Sequence, residues 1–128
     1  MADASYPDDL RYHPEHDWAR IEGDEATFGI TWYAQDTLGE VVFFTPPAVG
    51  TVLTKDVEYT EVESVKAVSD VIAPLSGEVI ATNSELGENP QTINEDPYGE
   101  GWFVRVKLSD PSEADSLMDA AAYVATLS

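Results

Sequence analysis

The chain has no cysteine. That removes a disulfide framework, thiolate metal centres and a cysteine nucleophile together, and it fits a reducing compartment. Basic residues are scarce too. Six Lys and Arg stand against 25 Asp and Glu, for a formal net charge of −19. A surface so charged repels phosphate backbones and anionic lipid headgroups, which argues against nucleic-acid and membrane binding. It suits either solubility in a salt-rich cytoplasm or steering onto basic partners. No apolar run approaches the roughly 18–20 residues of a membrane span. The opening residues, Met1 to Asp9, are acidic. Secretory signals and transit peptides need basic residues there, so a cytoplasmic, prokaryotic location is expected.

What the chain does have is 128 residues, 43% of them hydrophobic and 10% aromatic. That suits one domain, 1–128, with its own core. Residues 1–16, with Pro7 and Pro14, read as loose, and 1–11 form the N-terminal lead-in of that single domain. Beyond it the pattern is β-like. Trp18–Ile21 and Ala26–Ile30 flank a turn at Gly23-Asp24 and predict a hairpin. Thr31 can cap a short helix over Trp32–Leu38 that Gly39 ends. Val41–Phe44 reads as a buried strand stopped by Pro46-Pro47.

Further strands are expected at 51–53, 59–64, 66–72 and 78–81, with a helical turn or two in 83–89 and a polar loop over 94–101. Trp102–Leu108 alternates, with Trp102, Val104, Val106 and Leu108 on one face and Phe103, Arg105 and Lys107 on the other. Residues 110–127 read as one long helix. Asp110 would cap it, Pro111 and Glu113 follow in capping-box order, and Ala114, Leu117, Met118, Ala121, Val124 and Ala125 form its apolar stripe.

Pro47-Ala48-Val49-Gly50-Thr51-Val52 is echoed by Pro74-Leu75-Ser76-Gly77-Glu78-Val79. The copies bracket Glu61–Asp70, which is nearly mirror-symmetric about Val65, so that Val62 would oppose Val68 across a hairpin. Two quasi-equivalent halves joined by a hairpin point to a flattened β-barrel with a lysine at one end. Of three lysines, Lys55 adjoins Asp56 and Lys107 lies on an alternating strand, whereas Lys66 stands between Val65 and Ala67. An amine becomes a good nucleophile through burial or neighbouring cations, and an acidic hairpin tip offers neither. Lys66 is therefore better suited as a covalent anchor, where an acyl group would form an amide and erase the charge. A tether so placed keeps a reactive group at high effective concentration near docked partners.

Several blocks carry a family resemblance. Glu63-Ser64-Val65-Lys66-Ala67-Val68-Ser69-Asp70, Ala73–Val79, Pro90–Asn94, Asn94–Trp102, the Gly29–Gly39 segment and His16-Asp17-Trp18 together resemble the H proteins of the glycine cleavage system, over about residues 12 to 125. Thr92 and Trp32 depart from the usual residues, and neither touches the lysine segment. The resemblance implies a mainly β fold, a lipoyl/biotinyl-type barrel-sandwich hybrid of two antiparallel sheets with short helices and a C-terminal helix. It implies lipoate joined covalently to Lys66, with Glu63, Ser64, Val65 and Ala67 read by the lipoylating enzymes. It also implies a non-catalytic, monomeric carrier. A pyridoxal-phosphate-dependent glycine decarboxylase (P protein) loads an aminomethyl group, a tetrahydrofolate-dependent aminomethyltransferase (T protein) removes it, and dihydrolipoamide dehydrogenase (L protein) reoxidises the dithiol.

Other swinging-arm modules carry different residues around the lysine. Biotinyl modules usually set Met on both sides of the lysine, and acyltransferase lipoyl domains usually set Asp before it and are shorter. An unmodified H-like scaffold or lipoyl-relay protein stays open, because a lysine does not report its own acylation. His13 and His16, with Glu15 and Asp17, lack a further histidine to complete a metal site. Gly99-x-Gly101 lacks the context of a phosphate loop. Trp18, Trp32 and Trp102 read as core or cleft-lining residues.

Overall fold

A computed structural model describes residues 5–127. Nine strands form two antiparallel sheets among them. The larger holds β1 (Arg11–His13), β2 (Asp17–Glu22), β3 (Glu25–Ile30), β5 (Val52–Leu53), β8 (Gly77–Thr82) and β9 (Val104–Leu108), in the order β1-β2-β3-β9-β8-β5. The smaller holds β4 (Val41–Phe44), β6 (Glu58–Ser64) and β7 (Val68–Ile72), with β6 central. Helices α1 (Trp32–Leu38), α2 (Thr92–Glu95) and α3 (Ala120–Thr126) are short, and 3-10 turns occupy Ser84–Gly87 and Pro111–Ser116.

The main core lies between the sheets. Phe28, Val79, Val104 and Val106 from the larger sheet meet Phe44, Val62 and Val71 from the smaller. Phe44 and Phe103 pack with ring centroids 4.4 Å apart and planes tilted by 33°, a contact worth about 0.5–1.5 kcal/mol beyond simple burial. A second cluster of Leu10, Tyr12, Trp18, Ala120 and Tyr123 is separate from it. Trp18 belongs to this second cluster and the next residue, Ala19, to the first, so β2 is buried on both faces.

The Pro-x-x-Gly echo becomes a pairing. Val52 stands opposite Glu78, and backbone bonds join Gly50 and Thr51 to Val79. The hairpin at Gly23 and the capped helix over Trp32–Leu38 form where the sequence places them.

Other expectations need correction. Of the expected loose lead-in, residues 1–4 lie outside the described residues, and the remainder is ordered, because Leu10 and Tyr12 are buried and Arg11–His13 pairs with β2. Val41–Phe44 is not buried throughout. A bulge between Val41 and Phe43 leaves Val42 and Phe43 exposed while Val41 and Phe44 face inward. The alternation near Trp102 fails because β9 starts only at Val104, so Phe103 is buried and Trp102 only partly so.

The single C-terminal helix over 110–127 does not form. Met118 exchanges two backbone bonds with Tyr12, which holds residues 117–118 extended, and Asp119 then caps α3 anew. The buried face of α3 is Ala120 and Tyr123, while Ala121, Val124 and Ala125 are exposed. Asp110 caps the 3-10 turn, but Glu113 reaches the Ser76 backbone N–H at 2.8 Å and closes no capping box.

Candidate functional site

The β6–β7 hairpin pairs Glu63 with Val68 and Val62 with Ser69. The mirror centre is thus between Val65 and Lys66, not on Val65, and Val62 does not oppose Val68. A reflection about one residue needs an odd tip, whereas this tip has two residues. Ser64 builds it. Its hydroxyl accepts from the Lys66 and Ala67 backbone N–H groups at 3.3 and 3.1 Å and donates to the Ala67 carbonyl at 3.2 Å. Ser64 is therefore nearly buried, while Glu63, Val65, Lys66 and Ala67 are exposed.

The tip rests on the turn after α1. The Val65 N–H donates to the Glu40 carbonyl at 3.0 Å. A Cβ placed on Gly39 would lie 3.3 Å from Lys66 Cε, so the lysine stem crosses the bare backbone of that residue. Asn94 fixes the turn from below. Its amide donates to the Gly39 carbonyl at 2.8 Å and to Gln35 at 3.1 Å, and its carbonyl accepts from the Val41 N–H at 2.8 Å. Asn94 ends one of the resembling blocks and begins the next, but nothing local marks an asparagine as a partner for residues more than fifty positions away.

Among the described residues Lys55 pairs with Asp56 and Lys107 with Asp24, and Lys66 alone of the lysines has no carboxylate at ion-pair distance. Lys66 thus combines exposure, a fixed backbone and no competing partner, which fits a covalent attachment point.

A cavity of about 390 Å³ opens beside the tip, lined by α1, the Glu15–Asp17 segment and Ala67–Val71. Asp17 is 2% exposed, and its Oδ2 has no hydrogen-bond partner among the described residues. Burial, and then the charge of Glu15, raises its carboxyl well above the usual range. The Tyr59 hydroxyl is likewise buried without a partner, and burial followed by the Asp17 charge raises it. His16, at a left-handed φ of 74°, lies 4.6 Å from the Tyr33 ring and shares a 2.7 Å hydrogen bond with the Tyr123 hydroxyl. Burial lowers its pKa. His13 instead faces Asp56 at 2.6 Å, so the two histidines serve different neighbours.

A family profile described as Glycine cleavage H-protein matches residues 10–128. The chain belongs to the glycine cleavage H-protein family. It is 52% identical to the glycine cleavage system H protein of Symbiobacterium thermophilum, over 94% of each chain. It is also 52% identical to a probable glycine cleavage system H protein of Haloarcula marismortui, over 91% of this chain and 92% of that one. The crystal structure of a glycine cleavage system H protein from Mycobacterium marinum superposes with a TM-score of 0.87 at 36% identity, covering 94% of this chain and 98% of that one. The fold is the barrel-sandwich hybrid of two antiparallel sheets expected of H proteins.

Proposed function

We propose that Lys66 carries lipoate through an amide bond and that the chain is the lipoyl carrier of the glycine cleavage system. One observation supports this above the rest. The only lysine without an ion-pair partner among the described residues sits on a two-residue tip, seated on Gly39 and beside a cavity. A lipoyl group there would supply the disulfide that accepts an aminomethyl unit. The protein's own residues do the rest. Ser64 shapes the tip, Gly39 and Asn94 support it, and the cavity next to Ala67 gives a loaded arm room to fold out of water.

Partners in this reading are the decarboxylase, the aminomethyltransferase, dihydrolipoamide dehydrogenase and the lipoylating enzymes. Glu63, Val65 and Ala67 stand exposed for recognition, and Ser64 contributes by holding their backbone. The chain acts as a monomeric carrier in the cytoplasm and catalyses no step itself. No helix among the described residues is long and apolar enough to cross a membrane.

Intact mass of protein from lipoate-sufficient native cells tests the reading. The lipoyl mass should be present in the wild type and absent from Lys66→Arg, which should also fail to support glycine turnover. An unmodified wild type would favour the scaffold role instead.

A further inference from the structure

The bulge at Val42 produces an exposure that core packing does not require. It turns Phe43 outward, 57% exposed, where register sets it opposite Glu63, and Glu63 stands opposite Val68, itself 59% exposed. Phe43, Glu63 and Val68 therefore form one row across all three strands of the smaller sheet. Val65, 67% exposed, continues the apolar surface at the tip. Below the row a groove of about 500 Å³ carries Glu58 and Glu61 beside Phe43. Bulges recur next to functional sites because they re-aim side chains. An exposed phenylalanine set among acids is a surface shaped for contact.

We infer that this outer face of β4, β6 and β7, with Phe43 as anchor and Glu63 at its centre, docks the enzyme that acylates Lys66. The inference rests on Lys66 being the lipoylated residue. Reach selects this occupant. A bare lysine ends about four methylenes from its backbone. The acylating enzyme must bring that short amine to its own reaction centre and so must cover the sheet within one or two register positions of the tip. Enzymes that act on a finished arm meet its far end and need not touch this face.

Charge and shape set the partner's chemistry. It should present an apolar pocket for Phe43, rimmed by Lys or Arg that answer Glu61 and Glu63. The reaction there is amide formation from an acyl adenylate. Lys66 Nζ, having given its proton to a base, attacks the acyl carbon. The C–N bond forms, the acyl–oxygen bond to phosphate breaks, AMP leaves with that electron pair, and the nitrogen gives up its second proton to leave the neutral amide.

The test uses the full-length unmodified protein, a purified lipoate–protein ligase, ATP and lipoate, with acylation followed by intact mass. Phe43→Ala should raise KM about tenfold with kcat little changed, as loss of a docking anchor does. Glu63→Gln should also raise KM and should flatten its rise with sodium chloride. Val52→Ala removes a comparably exposed apolar side chain from the other sheet and should match the wild type. Circular dichroism establishes that each variant is folded. A wild-type KM for Phe43→Ala, or an equal loss in Val52→Ala, overturns the inference. Acylation of Lys66→Arg would instead overturn the assignment of the attachment site, which keeps the two failures distinct.

Discussion

The Lys66 side chain lies across Gly39, with Cε 3.3 Å from where a Cβ on that glycine would stand. Gly39 also has φ 82° and ψ −160°, a region open almost only to glycine. Two requirements thus fall on one residue: ending α1 and giving the lysine stem a flat seat. Gly39→Ala should lose about 1–3 kcal/mol of stability from backbone strain. Urea denaturation measures it, and a variant as stable as the wild type would mean that the turn relaxes at no cost.

Asp17 couples the same region to pH. Burial raises its carboxyl, so between the usual carboxylate range and that raised value the folded state holds a proton the unfolded chain releases. Stability attributable to Asp17 then falls as pH rises through that interval. Asp17→Asn cannot titrate. It should gain about 1–3 kcal/mol over the wild type at pH 8, the scale of one unmatched buried polar group, and much less at pH 4. Thermal melts at both pH values check this. A pH-independent difference would show that Asp17 is not the group responsible.

Much of this architecture was legible locally. The Thr31 cap, Gly39 and the Gly23 turn are chemical signals within a few residues, and each appears in place. Lys66 stood out by its neighbours alone. What escaped depends on distant partners. β1 is too short to show alternation, and its burial comes from Tyr12 meeting Met118 and Tyr123 over a hundred residues away. The same Tyr12–Met118 pairing interrupts a helical pattern that is otherwise convincing. The Val42 bulge left no mark on an unbroken apolar run, so the outward turn of Phe43 and the face it creates were invisible in sequence.

The Tyr123 hydroxyl is shared by His16 Nδ1 at 2.7 Å and Thr31 Oγ1 at 2.8 Å. It ties α3 to the cap of α1 and to one wall of the cavity beside Lys66. Tyr123→Phe keeps the stacked ring, 4.9 Å from Tyr12, and removes only the oxygen. The loss should be about 1–3 kcal/mol in chemical denaturation, because the buried Thr31 hydroxyl loses its partner where water is excluded. A change below about 0.5 kcal/mol, the usual effect of a surface substitution, would mean that solvent replaces the hydroxyl freely.

The net charge of −19 bears on every encounter the carrier makes. Groups such as Glu58, Glu61 and Asp70 cluster on one exposed face, with carboxylate oxygens within 4.8 Å of one another. Glu58 is raised by its hydrogen bond to Asp70, as close like charges require. A surface of that net charge attracts a basic partner over distances that salt controls, since the Debye length is about 10 Å at 0.1 M and about 3 Å at 1 M. The apparent affinity of the lipoylated chain for the glycine decarboxylase, measured by glycine–bicarbonate exchange, should therefore weaken roughly tenfold or more across that range. An affinity indifferent to salt would mean that the acidity serves solubility and that docking relies on shape and apolar contact.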